Sequence, residues 1–221
     1  MNKIKEYLQN APKIHFSIYG KPLYFKNSLS KDIDIGSVCK RVENILPASF
    51  FKGIAALSFG EYETLNDRGV DSVFGNNIIY LTNIQENEED IIENIIHETA
   101  HSLEERFSQV IYSDGLLKKE FLKKRKQLYS ELSKKYTIDE KYFKKTEFSK
   151  TLDLLFYKKI GYDTLSFFTE HMFISPYSAT SLREYFSEGF EKYYMGESGA
   201  INELCPELYK KIQTLEEITG K

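Results

Sequence analysis

Residues 87–110 read NEEDIIENIIHETAHSLEERFSQV, a stretch that carries both the fold and the chemistry. Asn87 is a good helix N-cap, and Glu88, Glu89 and Asp90 follow it in the first turn, where the helix dipole favours acids. Ile92, Ile95, Ile96, Leu103, Phe107 and Val110 recur at helical spacing. The segment therefore reads as one amphipathic helix. Within it lies HETAH, His97 to His101. Residues four apart on a helix sit one turn above each other on the same side, so His97 and His101 can offer two imidazole nitrogens to one ion. Glu98, beside them, can reach a water in the open position of that metal. The isoleucines and Leu103 anchor the opposite side, which leaves the histidines free to face a cleft.

Working outward, the chain before this helix is mixed. Residues 2–9 read as a short helix. Ile14 to Phe25 contains KIHFSIYGKPLYF, an alternating run with Gly20 in its middle, which predicts two strands around a turn. Residues 35–46 read as a helix closed by Pro47. GIAALSFG (53–60) and NNIIYLT (76–82) are short β-branched and aromatic runs bounded by Gly and Asn, and both read as strands. The second, just before the HETAH helix, is placed to be a sheet edge on which an extended peptide could add a strand. After the helix, further helices are expected at about 116–136, 147–160, 162–172, 180–195 and 206–218. Pro176 and Gly196 are breaks, and Pro206 opens the last helix. The expectation is one α+β domain over 1–221, with a β-containing part (1–86) and a helical part (87–221).

Bulk properties narrow the function classes. A chain of 221 residues buries one substantial core, at most with a small appended subdomain. With 16 Tyr and 16 Phe it is too aromatic for disorder. Residues 118–150 hold twelve Lys/Arg against five Asp/Glu within a net charge of −3. No nucleic-acid module accompanies that charge, so it reads as a solvated helix face and no nucleic-acid partner is expected. Two cysteines, Cys39 and Cys205, are too few for a disulfide framework and read as buried thiols. No stretch approaches the ~20 apolar residues of a membrane span. Met1 to Leu23 has no apolar signal-peptide core, so a cytoplasmic location is expected, with non-classical export or a removed signal as the alternative.

A catalytic zinc takes three protein ligands and keeps one position open, so HETAH needs a third donor. A histidine six residues past His101 would mark one large class, but Phe107 stands there, and Glu104 stands where that class has glycine. His171 lies on an aromatic helix and reads as a core histidine. The remaining candidate is REYFSEGFEKYY (183–194), where Glu184 and Glu188 share a helix face. One carboxylate can bind metal while the other orients a ligating histidine. Spacing alone does not choose between them.

HETAH, Tyr177 seven residues before Glu184, and EYFSEGF together resemble the protease domain of the lethal-factor-like zinc metallopeptidases. They resemble even more the bacterial Pro-Pro endopeptidases built on that domain. The tail CPELYKKIQTL (205–215) is also similar to theirs. The likeness covers roughly 91–105 and 177–215, and the segment 102–183 is longer than that family's usual insertion. The resemblance implies a zincin-like fold, Glu184 as third zinc ligand and Tyr177 as donor to the oxyanion. It also implies two acids that support the ligands without binding the metal: Glu104, at the family's acidic position after HExxH, and Glu188 on a ligating histidine. The expected activity is zinc-dependent endopeptidase action on a peptide or protein substrate, with Glu98 as general base. The alternative is a zinc-binding regulatory or partner-binding protein that does not cleave. Sequence sets neither the cleaved bond nor the oligomeric state.

Overall fold

The structure, a computed structural model, describes residues 16–220. The helix anticipated at 2–9 and the start of the 14–25 run lie outside the described residues. The chain forms two compact units, Met1–Leu103 and Glu104–Lys221.

In the first unit β1 (Ser17–Ile18) and β2 (Lys21–Phe25) form the antiparallel hairpin expected around Gly20. Tyr19 and Gly20 both have positive φ (51° and 74°), which matches the twist of a tight two-residue turn. Helix α1 (Ile35–Ile45) starts where the Asp34 carboxylate accepts from the N–H groups of Gly36 and Ser37. After a 3-10 turn (Ala48–Gly53) come β3 (Ala56–Phe59), α2 (Glu63–Arg68), β4 (Ser72–Gly75) and β5 (Ile78–Leu81). Among the described residues these strands make a five-stranded sheet in the order β1-β2-β3-β5-β4. β2, β3 and β5 are parallel, whereas β4 runs antiparallel to β5.

This order corrects one expectation. The strand at 76–82 is not an edge, because β4 covers it and is itself the edge. Asn76 and Asn77, read as the start of that strand, are the two turn residues between β4 and β5, with φ of 52° and 63°. Asn tolerates this left-handed region better than most residues, so NN here marks a hairpin turn.

Helix α3 (Glu88–Tyr112) begins as predicted, with the Asn87 side chain accepting from the Asp90 N–H at 3.0 Å. Ile91, Ile92, Ile95 and Ile96 are completely buried. Burying each such side chain is worth about 1.5–3 kcal/mol, so this face holds the helix without any contribution from its histidines. The regular backbone breaks at Phe107 (φ −123°, ψ 24°).

The second unit is helical. It contains α4 (Leu116–Leu132), a 3-10 turn (Glu140–Lys144), α5 (Lys150–Leu154) widening into a π-turn (Leu155–Ile160), and α6 (Tyr162–Thr169). A 3-10 turn (Tyr177–Ala179) leads to α7 (Leu182–Lys192), followed by a π-turn (Tyr193–Glu197), α8 (Ser198–Leu204) and α9 (Pro206–Thr219). Pro206 occupies the first turn of α9, as expected. Phe121, Phe173 and Tyr185 pack as an aromatic triangle with centroids 5.4–6.1 Å apart. The Glu120 carboxylate receives the Tyr185 hydroxyl (2.9 Å) and the N–H groups of Glu207 and Leu208, and so caps α9 from α4. Cys39 and Cys205 are buried free thiols.

The basic stretch is only partly the solvated face expected of it. Lys118, Lys119, Lys123 and Lys126 are exposed, but Lys124 and Arg125 are buried. Lys124 donates to the carbonyls of Met172 and Leu204 at 2.7 Å each, and Arg125 to those of Tyr142 and Lys145. Burial pushes the Arg125 guanidinium down to about 10. Carbonyl oxygens brought together from distant segments make the burial of these cations tolerable.

Gly189, in EYFSEGF, shows how tightly α7 packs. A Cβ there would stand 2.0 Å from Leu208 Cδ2 on α9, and Leu208 is fully buried. Gly189→Ala should therefore destabilise the protein. An overpacking cost of about 1–3 kcal/mol outweighs the ~1 kcal/mol that alanine gains in a helix interior. Chemical denaturation measures this, and equal or greater stability would mean that Leu208 repacks freely.

Candidate metal centre

His97 and His101 project from one side of α3, with ring centroids 5.0 Å apart and planes at 77°. One helical turn brings them together, and the four buried isoleucines fix which side they occupy. Glu98 is 4% exposed and held on both oxygens by the edge strand. Ser72 Oγ donates to Oε1 at 2.8 Å and the Phe74 N–H to Oε2 at 2.6 Å. This strand contact has a signal in the sequence, the Asn76-Asn77 turn that ends β4.

Glu184 stands in the first turn of α7. Ser181 caps that helix by accepting the Glu184 N–H at 3.1 Å, and the Ser187 hydroxyl donates to the Glu184 carboxylate at 3.3 Å. The arrangement follows from Ser at the N-cap with Glu three residues on. His97, His101 and Glu184 each offer a ligand atom, and the three atoms lie within 4.8 Å of one another, so this group could hold a metal ion. His97, Glu188 and Glu191 meet the same distance. Both acids on the shared face of α7 thus group with His97, but only Glu184 groups with both His97 and His101.

The remaining predicted residues are placed as follows. Glu188 accepts a short hydrogen bond from the Ser175 hydroxyl. Glu104, 4% exposed, accepts from the Tyr112 hydroxyl and pairs with Arg183 at 3.3 Å. Burial and the Glu104 charge push the Tyr112 phenol well above its usual range, so its proton stays on it. Tyr177 is half-buried and opens the 3-10 turn before α7. His171 is not the core histidine expected: it is exposed in the turn after α6, since that helix ends at Thr169. It belongs to neither metal-capable group among the described residues.

Sequence reasoning missed Asp153 and Tyr162. The Tyr162 hydroxyl lies 3.5 Å from the Asp153 carboxylate. Burial, Asp153, Glu188 and Glu184 together raise the phenol's pKa, and burial with Glu184 raises that of Asp153. No protein-family model, curated protein or solved structure matches the chain.

Proposed function

We propose that the chain is a zinc-dependent endopeptidase in which His97, His101 and Glu184 hold the metal and Glu98 is the general base. The observation that carries this reading is the approach of those ligand atoms within 4.8 Å. Two imidazoles and a carboxylate are the donor set of a catalytic zinc site, which keeps a position open for substrate or water. Zinc bound there supplies Lewis acidity toward a peptide carbonyl and toward water.

The chain's own groups then have separate tasks. Glu98 takes a proton from the attacking water and delivers it to the leaving nitrogen. Ser72 and Phe74 fix the carboxylate's orientation before substrate arrives, and each carboxylate oxygen retains a second lone pair for the water. Glu188 orients His97 through the ring nitrogen turned away from the metal. Arg183 and Tyr112 anchor Glu104, the acid that follows the HExxH motif on its helix. An extended substrate pairs with β4, although the Phe74 N–H on that edge is already taken by Glu98. The proposal includes a zincin-like fold and kinship with the lethal-factor-like peptidases. A small sheet whose antiparallel edge touches the glutamate of the HExxH helix supports it.

A cleavage screen on a peptide library, using the zinc-loaded protein, tests the activity. Tyr177→Phe is the informative variant. Its hydroxyl matters when the oxyanion forms, so kcat should fall roughly 10–1000-fold while KM changes little. An unchanged kcat would remove Tyr177 from the mechanism and leave it as a wall of the cleft. Cleavage of no peptide at all by fully loaded protein would favour the non-cleaving, regulatory alternative. Among the described residues no helix is long and apolar enough to cross a membrane.

A further inference from the structure

Between the end of α6 and the segment 173–176 lies a cavity of about 360 Å³, of a size that takes an organic side chain with room to spare. Phe167, Phe173 and Ile174 line it with carbon, and Phe167 is 80% exposed.

The polar side chains in the lining are Ser166, Thr169, Ser175 and Glu170. A hydroxyl has one proton to give, and each of the three has already given it. Ser166 donates to the Asp163 carbonyl at 2.7 Å, Thr169 to the Leu165 carbonyl at 3.1 Å and Ser175 to the Glu188 carboxylate. What Ser166 and Ser175 can still do is accept, Ser175 beside the Ser178 N–H it already holds at 3.0 Å, whereas Thr169 is buried. Glu170, exposed at the end of α6, adds a negative charge, and among the described residues no Lys, Arg or His lines the cavity. Apolar walls with acceptors and one carboxylate suit a long carbon stem ending in a cationic donor. They disfavour an acid, which would lose hydration without gaining a donor.

We propose that this cavity binds the side chain of a lysine or arginine in a peptide substrate. That the ligand is a peptide substrate rests on the endopeptidase reading, whereas the basic chemistry rests on the lining alone. The wall is continuous with residues assigned to the reaction: Ser175 bonds Glu188, and Pro176 directly precedes Tyr177. A side chain seated here would therefore set which peptides reach the site.

The test titrates the full chain and its Glu170→Lys variant with Nα-acetyl methylamides of arginine, norleucine and glutamate, followed by NMR. Glu170 has no part in the proposed chemistry. Arginine should bind best and glutamate worst, and Glu170→Lys should weaken arginine roughly fivefold while leaving norleucine unchanged. Glutamate binding as tightly as arginine, or arginine indifferent to Glu170→Lys, would overturn the proposal. In zinc-loaded protein, cleaved peptides should be enriched in Lys or Arg at one position, and cleavage without that enrichment would also overturn it. Arginine selectivity that persists in a protein unable to take up zinc supports the cavity and counts against the endopeptidase reading alone.

Discussion

Glu98→Gln should keep its zinc and its thermal stability and lose peptidase activity by roughly 10²–10⁴-fold, the usual contribution of a positioned general base. The substitution changes proton chemistry while sparing the structure. The amide oxygen still accepts the Phe74 N–H, which now binds Glu98 at 2.6 Å. The amide nitrogen becomes a donor toward Ser72 Oγ, and the serine proton can turn to Asn94 Oδ1, already 3.2 Å away. No buried polar atom is left without a partner, so the fold has no reason to loosen. A neutral amide cannot accept the water's proton. Measured kcat/KM on a verified peptide substrate, beside zinc content and Tm, checks all three expectations. Full activity in Glu98→Gln would remove the general base from the account.

The second large effect concerns the two acids of α7. Glu184→Ala should be mostly metal-free at micromolar zinc, because a direct ligand is gone. Glu188→Ala should still load, with affinity weakened about 10–100-fold, as is usual when the partner of a ligating histidine is lost. His171→Ala should leave affinity unchanged, since that side chain is exposed and outside both metal-capable groups. Competition titrations with a zinc chelator give the three affinities. If Glu188→Ala is the empty protein, the ion belongs to the His97, Glu188 and Glu191 group instead.

Local signals carried much of this structure. Asn87, Glu88 and the isoleucine spacing predict α3 because caps and helical periodicity act over a few residues. The same holds for Gly20 between β1 and β2 and for Pro206 at the start of α9. What stayed hidden depends on partners distant in the chain. The edge position of β4 follows from β5 pairing with both β3 and β4, an order that no short window contains. SVFG is also too short to announce itself as a strand, and its only clear marker is the Asn pair that follows. Lys124 and Arg125 look like their exposed neighbours in sequence. Their burial depends on the Met172, Leu204, Tyr142 and Lys145 carbonyls arriving from elsewhere. The likeness of Glu184 and Glu188 is a different limit. Both lie on one helix face and both group with His97, and only Glu184 also groups with His101, a difference that their spacing in the sequence does not carry.

The most direct test of the central claim is the zinc content of protein purified without added metal, measured by elemental analysis with Glu184→Ala alongside. The account predicts one zinc per chain in the parent protein and little in the variant, with removal of the metal lowering Tm, since an ion that binds only the folded state stabilises it. A parent protein that carries no zinc and cannot be loaded with it would contradict the account.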